Sequence, residues 1–276
     1  MYAARVLADS IASGVRLTTL EVTMPRIVLA EFNTHRMLSR NSASSRAIPV
    51  EKRIAAIREN PFVPDAFAAN QRGMQAGEAL SEGEQERARR WWLEGRDHAC
   101  SVAEDLARLG VHKQWANRLI EPYAWHTVIV TATEWENFFA LRCSPEAQPE
   151  IRRAAELMSN AMTASVPRAL APSCWHLPLV DERDDDVAGH LLPQISIARC
   201  ARVSYLTHDG RRDPKTDLEL YRRLLTSGHM SPFEHVARVA RHLEREELGA
   251  FVGNFRAPWV QYRKTIAGES VFKGVA

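Results

Sequence analysis

The segment Glu31 to Arg46, Glu-Phe-Asn-Thr-His-Arg-Met-Leu-Ser-Arg-Asn-Ser-Ala-Ser-Ser-Arg, constrains this 276-residue chain more than any other. The apolar run Ile27-Val28-Leu29-Ala30 delivers the chain into it, and Pro49 closes it. From Thr34 onward it holds three arginines, one histidine, one asparagine and four serines, with no acidic residue. Arg36, Arg40 and Arg46 cannot lose their charge, and gathering like charges within a fold is unfavourable unless an anion joins them. Hydroxyls, backbone N–H groups and guanidinium forks are what a phosphate-bearing ligand requires. Composition alone leaves an exposed basic loop or a phosphate site, and the second is the better reading.

The remainder is that of an ordinary globular protein, 45% hydrophobic and 25% charged. A chain of 276 residues can bury one substantial core, and residues 1–276 read as a single domain. A formal charge of +2 is too small to imply a nucleic-acid partner, so any positive field must be local. No apolar run approaches membrane-spanning length and no signal-peptide pattern opens the chain. A cytoplasmic protein with no membrane partner is expected. Cys100, Cys143, Cys174 and Cys200 show no CxxC pairing, and the histidines form no HExxH cluster. Reduced, mostly buried thiols and no metal site are expected.

Leu20, Val22 and Met24 alternate with polar residues, so residues 15–32 read as strands interrupted at Pro25, with Ile27–Ala30 a buried strand. Residues 50–80 read as an irregular connector. Ser81-Glu82-Gly83-Glu84 is a capping box that opens a long helix ending at Gly110. Trp91, Trp92, Ala99, Val102, Leu106 and Leu109 mark its expected buried side, the tryptophans as core rather than ligand platform. Thr127–Thr131 is a β-branched strand pattern, and Ile151, Ala154, Ala155 and Met158 recur at helical spacing after Pro149. Arg142 follows apolar Phe138, Phe139 and Leu141, and a buried arginine there needs an anionic or carbonyl partner. Asp181–Asp186 reads as a solvated acidic turn, and 215–227 as an amphipathic helix stopped by Gly228.

Thr34-His35-Arg36, seven residues, then Ser44-Ser45-Arg46 resembles the signature of the flavin-dependent thymidylate synthases. That family writes Arg-His-Arg, seven residues, Ser, a small residue and Arg, so Thr34 departs from it, as does Ser42 where a glutamate is usual. Asn137–Arg142, Ala147–Ile151, Ala201–Ser204 and Gly228-His229-Met230-Ser231-Pro232-Phe233-Glu234-His235 resemble further family blocks. The last block follows the arginine motif here, whereas in the common form it precedes it. That order resembles a longer, permuted branch of the family. Gln261-Tyr262-Arg263-Lys264 is a competing match to the arginine motif but lacks the downstream serine and arginine.

The resemblance implies a mixed α/β (α+β) fold with helices packed on a central sheet. It implies reductive methylation of dUMP to dTMP with FAD as cofactor and NADPH and methylenetetrahydrofolate as co-substrates. UMP is the alternative substrate, as in enzymes of nucleoside-antibiotic pathways. Ser44, Ser45 and Arg46 would hold the nucleotide phosphate. Arg142 and Arg118 would contact the pyrimidine as the catalytic arginines, and Glu31 stands where the family has a substrate-binding glutamine. His35, Arg36, Asn41, Asn137, His229, Ser231 and Glu234 would contact the flavin, while Thr131 and Glu146 replace two family flavin residues. A homotetramer with sites between subunits is implied. Three rivals remain: a cysteine-dependent synthase built on Cys174, with that thiol more readily packed beside Trp175; an RNA-binding or RNA-methylating protein; and an inactive homologue.

Overall fold

Ser13 and Gly14 both adopt positive φ, 47° and 77°, the backbone that a two-residue hairpin turn requires. They join β1 (Ala3–Ala12) to β2 (Val15–Pro25) in a long antiparallel ladder. This computed structural model describes residues 1–205, 212–241 and 248–271. Short helix α1 (Leu29–Asn33) leads to β3 (Ser39–Ser42), and three helices follow: α2 (Val50–Glu59), α3 (Glu82–Arg108) and α4 (Lys113–Leu119). Next come β4 (Trp125–Ala132), α5 (Glu136–Arg142), α6 (Pro149–Thr163) and the two-residue β5 (Arg168–Ala169).

These strands form a five-stranded sheet in the order β3-β4-β2-β1-β5, antiparallel except for β1 with β5. The rest of the chain supplies β6 (Trp175–His176), α7 (Leu192–Ala201), α8 (Pro214–Thr226), β7 (Ala237–Val239) and β8 (Trp259–Gln261). Here β6, β7 and β8 make a second, three-stranded sheet. The expected mixed α+β class is therefore the observed one, with helices laid on a central sheet. Among the described residues no helix is long and apolar enough to cross a membrane.

Helix α6 turns Ile151, Ala154, Ala155 and Met158 onto Leu20, Val22, Val128 and Val130, all essentially inaccessible. Burying each of the larger side chains stabilises the fold by about 1.5–3 kcal/mol. Cys100 and Ala103 of α3 pack with Ile54 and Ile57 of α2 and Ala116 of α4 in a second cluster. Trp92 lies edge-on to Phe62 and donates its indole N–H to the Phe62 carbonyl at 2.9 Å.

Several expectations change. Ile27–Ala30 is not a strand: β2 ends at Pro25, and a 3-10 turn (Arg26–Val28) runs into α1. Periodicity cannot separate a short buried strand from a short buried helix, and here Val28, Leu29 and Phe32 face the core helically. The 50–80 connector begins with α2, which buries Val50, Ile54 and Ile57 at helical spacing around a polar face. Trp91 and Leu109 of the long helix are exposed rather than buried. Cys174 is exposed too, not packed.

The acidic turn is only partly solvated. Asp184 is buried and accepts two hydrogen bonds from Arg199, each 2.7 Å, and one from Arg212. The remaining Nε of Arg199 donates to Asp217 at 3.0 Å, which ties the 181–186 loop to α7 and α8.

A buried polar chain links the two sheets. The His176 imidazole bonds Ser10 Oγ (2.9 Å) and Thr19 Oγ1 (2.8 Å), Thr19 bonds Thr131 (2.7 Å), and Thr131 bonds His235 Nδ1 (2.8 Å). Burial lowers His126, His176 and His235 from the ordinary 6.5 to about 3, so all three are neutral in the native state. Unfolded histidines take up protons below about pH 6.5, whereas these refuse them until much lower pH. Stability therefore holds above that value and falls with acidification, by up to about 1.4 kcal/mol per pH unit for each histidine. Urea unfolding between neutral pH and about pH 5 is expected to show this decline; a flat midpoint would contradict the buried neutral histidines.

Candidate active site

Pairing of β3 with β4, from Ser39↔Thr131 to Ser42↔Val128, fixes which residues of the arginine motif face inward. Ser39 and Asn41 point into the protein, and Asn41 donates to the Cys200 carbonyl at 2.8 Å. Ser231 Oγ in turn donates to Asn41 Oδ1 at 3.2 Å. Within β3, one amino group of Arg40 donates to the carbonyls of Phe32, Asn33 and His35, at and just beyond the end of α1. One amino group of Arg40 is thus engaged at a helix end, while the residue still lines a cleft with Arg36 and Glu234. After β3, buried Asn117 of α4 donates to the Ser45 and Ile48 carbonyls at 2.7 and 2.9 Å, and Lys113 donates to Ala47 at 3.2 Å. Helix α4 thereby sets the shape of the 43–48 loop.

That loop borders a first cleft of about 440 Å³, lined by Ser44, Ser45, Arg46 and Arg118 together with Arg26 and His126. Among the described residues, three guanidiniums line it and no carboxylate does. Glu121 sits nearby, 3.5 Å from Arg26 and 3.7 Å from Arg118. The His126 ring is 3% exposed, and neither nitrogen has a hydrogen-bond partner. Desolvation, then the charges of Arg26 and Arg53, keep it neutral.

A second cleft, about 480 Å³, is lined by His35, Arg36, Asn137 and Arg142. Arg142 Nε donates to His35 Nε2 at 2.8 Å, and its Nη2 lies 3.4 Å from Thr34 Oγ1. This bond requires an unprotonated Nε2, so the neutral ring carries its proton on Nδ1. Burial, then Arg142 and Arg40, lower the His35 pKa. A third cleft, about 490 Å³, is lined by Arg36, Ser231 and Glu234, with Glu234 paired to Arg263. The second and third clefts share Arg36 and Leu38 and are therefore adjoining.

The thirteen sequence-derived residues thus divide. Ser44, Ser45, Arg46 and Arg118 share the first cleft, and His35, Arg36, Asn137, Ser231 and Glu234 border the joined pair. Arg142 falls with the second group, so the two arginines expected at the pyrimidine line different clefts of one chain. Asn41 is buried behind Ser231. One carboxylate oxygen of Glu31 is buried without a hydrogen-bond partner, and Glu31 lines none of these three clefts. His229 is exposed and bonds Ser227 Oγ at 2.8 Å. Thr131, where the family has an asparagine, is engaged in the buried histidine chain. Arg26, Asn117 and His126 were not apparent from sequence; the one signal was a histidine directly before the β-branched run of β4.

Residues 13–168 match the family model described as thymidylate synthase complementing protein. The chain belongs to this family, the flavin-dependent thymidylate synthases. The matched span contains the Thr34–Arg46 motif and Arg142, whereas His229, Ser231 and Glu234 lie beyond it. It also favours Thr34–Arg46 over Gln261–Lys264 as the family motif; Gln261 is buried, and Arg263 pairs with Glu234 and Glu269. Among solved structures, a UMP/dUMP methylase PolB from Streptomyces cacaoi bound with 5-Br UMP is similar, at 17% identity and a TM-score of 0.50. The likeness covers 59% of this chain and 89% of that one, and it shows a shared fold. The same methylase bound with 5-Br dUMP aligns at 15% identity and a TM-score of 0.49, over 59% of this chain and 90% of that one. A search of curated proteins found no match.

Arg142 both donates to His35 and repels its protonated form, so Arg142→Ala is expected to raise the His35 pKa. Titration of the imidazole signal by NMR would read this; an unmoved His35 would mean that the two side chains do not interact in solution.

Proposed function

We propose that this chain is a flavin-dependent methylase that converts dUMP to dTMP, using methylenetetrahydrofolate as one-carbon donor and NADPH as reductant. The observation that carries the reading is the first cleft, where the family's Ser44-Ser45-Arg46 segment meets Arg118 and Arg26 with no lining carboxylate. Such a donor set suits a phosphate, with Ser44, Ser45 and Arg46 as its ligands. Arg118 and Arg142 would address the pyrimidine. A fixed guanidinium at the ring carbonyl stabilises the negative charge that grows as C5 becomes nucleophilic, with no solvent reorganisation. Glu31, with its unpartnered oxygen, is assigned to the substrate as well.

The joined second and third clefts fit a flavin dinucleotide in size and chemistry: Arg36 at their junction, His35 and Asn137 on one side, Ser231 and Glu234 on the other. Asn41 would act by holding Ser231, and His229 by reaching in from the surface. The chemistry that FAD supplies when bound is the hydride that completes the methyl group. No protein nucleophile is needed, and Cys174, though exposed, lines none of the three clefts. Because Arg118 and Arg142 line separate clefts of one chain, a complete site would join the first cleft of one copy to the second cleft of another. A homotetramer, as the family resemblance implies, would provide such junctions. Exposed Trp115 at the first cleft and Leu141 at the second would then be covered.

A second reading is C5 methylation of UMP. Support comes from the shared fold with a UMP/dUMP methylase and from small Ala47 directly after the motif arginine, where the family usually has tyrosine. One hydroxyl separates the nucleotides, and rejection by shape alone gains only about 10²-fold.

Turnover of dUMP and UMP side by side, with FAD, NADPH and methylenetetrahydrofolate and product identified by mass, tests both readings. Methylated dUMP supports the first and methylated UMP the second; product from neither, in a folded flavoprotein, refutes both. Arg46→Ala is expected to weaken nucleotide binding roughly ten- to a hundredfold, the scale of a charge-assisted hydrogen bond. Calorimetric titration reads it, and unchanged affinity would remove Arg46 from the site. Cys174→Ala is expected to retain turnover, whereas its complete loss in a folded variant would revive a cysteine nucleophile.

A further inference from the structure

Gln261-Tyr262-Arg263-Lys264 is not the family's arginine motif, yet its two cations line a cleft. Arg263 and Lys264 border the third cleft with Arg36 and Arg40, and Glu234 is the lining carboxylate among the described residues. The acid that answers both cations comes from outside that lining. Glu269 Oε2 accepts from Arg263 Nε and Glu269 Oε1 from Lys264 Nζ, each at 2.6 Å. One oxygen serves each cation, so the pair is spaced to hold a single carboxylate. The Glu269 side chain is 9% exposed, against 29% for Arg263 and 33% for Lys264.

Little else hangs on this contact. Glu269 follows the 3-10 turn Tyr262–Thr265 and belongs to no helix or strand. Its segment is a succession of local turns, with Glu269 N–H donating to the Ile266 carbonyl at 3.2 Å and Val271 N–H to the Gly268 carbonyl at 3.0 Å. Asp184 differs, because its bonds to Arg199 tie a separate loop to α7. A local turn opens at small cost, and ion pairs this accessible contribute only about 0–1 kcal/mol. An incoming carboxylate can therefore replace Glu269 with no loss of paired charge. Among the ligands of the proposed reaction, dUMP, FAD and NADPH carry their negative charge on phosphate. Methylenetetrahydrofolate carries aliphatic carboxylates on its glutamyl tail, whose γ arm is chemically a glutamate side chain. We propose that Arg263 and Lys264 form a subsite for the glutamyl tail of the one-carbon donor, and that Glu269 is an internal carboxylate that occupies this subsite until the tail displaces it. This rests on the flavin-dependent methylase reading and deepens it, since that reading leaves the one-carbon donor without residues of its own.

The test titrates wild type, Glu269→Gln and Lys264→Met, each with FAD present, with folate and with pteroate, which keeps the ring system but lacks the glutamyl tail. Inorganic pyrophosphate is the phosphate control, and thermal melting checks that each variant is folded. Wild type is expected to bind folate more tightly than pteroate. Glu269→Gln removes the competing charge at constant size and should tighten folate about three- to fivefold, with pteroate unchanged and pyrophosphate gaining less. Lys264→Met should weaken folate by a similar factor and leave pteroate unchanged. Folate affinity unchanged or weakened in Glu269→Gln would make Glu269 a structural staple and overturn the proposal. Unchanged folate affinity in Lys264→Met would overturn it as well. Tightening of pyrophosphate as large as that of folate would make the pair a general anion site and also overturn it. A folded wild type that binds neither folate nor pteroate refutes the one-carbon donor itself, and the subsite falls with it; one that binds both equally refutes the subsite alone.

Discussion

Strand β4 is hydrogen-bonded along both edges, to β2 and β3, and from Val128 to Ala132 no side chain meets solvent. A strand placed in this way admits apolar residues, or polar ones whose partners are also built in. Val128 and Val130 meet α6, and Ile129 meets Cys200 and Val203 on the opposite face. Thr131 satisfies the rule through Thr19 and His235. Trp125 Nε1 and both nitrogens of His126 break it at the head of the strand, and His126 does so at the wall of the first cleft. Local rules tend to be broken where function requires it, so the His126 exception points to that cleft.

The same strand explains how the unusual order of sequence blocks is accommodated. Its pairing with β3 places Ser39 and Asn41 against the C-terminal third of the chain, where Ser39 bonds Asn254 (3.0 Å) and Gln261 (3.3 Å) and Asn41 bonds Ser231 (3.2 Å). Asn254 closes the circuit by donating to the Met37 carbonyl at 2.9 Å. A cofactor responds to positions in space, and these bonds bring the Gly228–His235 block beside the arginine motif although some 190 residues separate Asn41 from Ser231. The buried Thr131–His235 bond anchors the same block from below. The polar chain therefore serves architecture at a position where the family uses an asparagine toward its flavin.

Elements were legible where a single periodicity decided them. The capping box at Ser81 starts α3, Thr127–Thr131 lies within β4, and the apolar residues after Pro149 face the sheet from α6. The arginine motif was legible as a cleft-lining loop because hydroxyls and guanidiniums without acids favour a solvent-facing concavity over a packed core. Ile27–Ala30 was misread because four apolar residues fit a buried strand or a buried helical turn equally well. Helix α2 was missed because Lys52, Arg53 and Arg58 mask the spacing of Val50, Ile54 and Ile57. The partner of each arginine could not be read at all, since it depends on tertiary neighbours. Arg40 looks like its motif companions in sequence, yet it caps α1; Asp184 looks like a solvated acid, yet it answers Arg199.

Those partners decide where positive charge is left over. The formal charge of the whole chain is only +2, so an anion site cannot arise from net charge and must arise from uneven pairing. Around α7 the accounts are balanced: Arg199, Arg202 and Arg212 face Asp181, Asp184 and Asp217 at 2.5 to 3.0 Å. At the motif, Arg40 is discharged onto backbone carbonyls, and Arg263 onto Glu234 and Glu269. Around the first cleft Arg26 and Arg118 both approach one oxygen of Glu121, at 3.5 and 3.7 Å, while its other oxygen is buried without a hydrogen-bond partner. Low local dielectric magnifies that imbalance where the groups are buried. Pairing of this kind, rather than net charge, decides which guanidiniums remain turned toward a cleft.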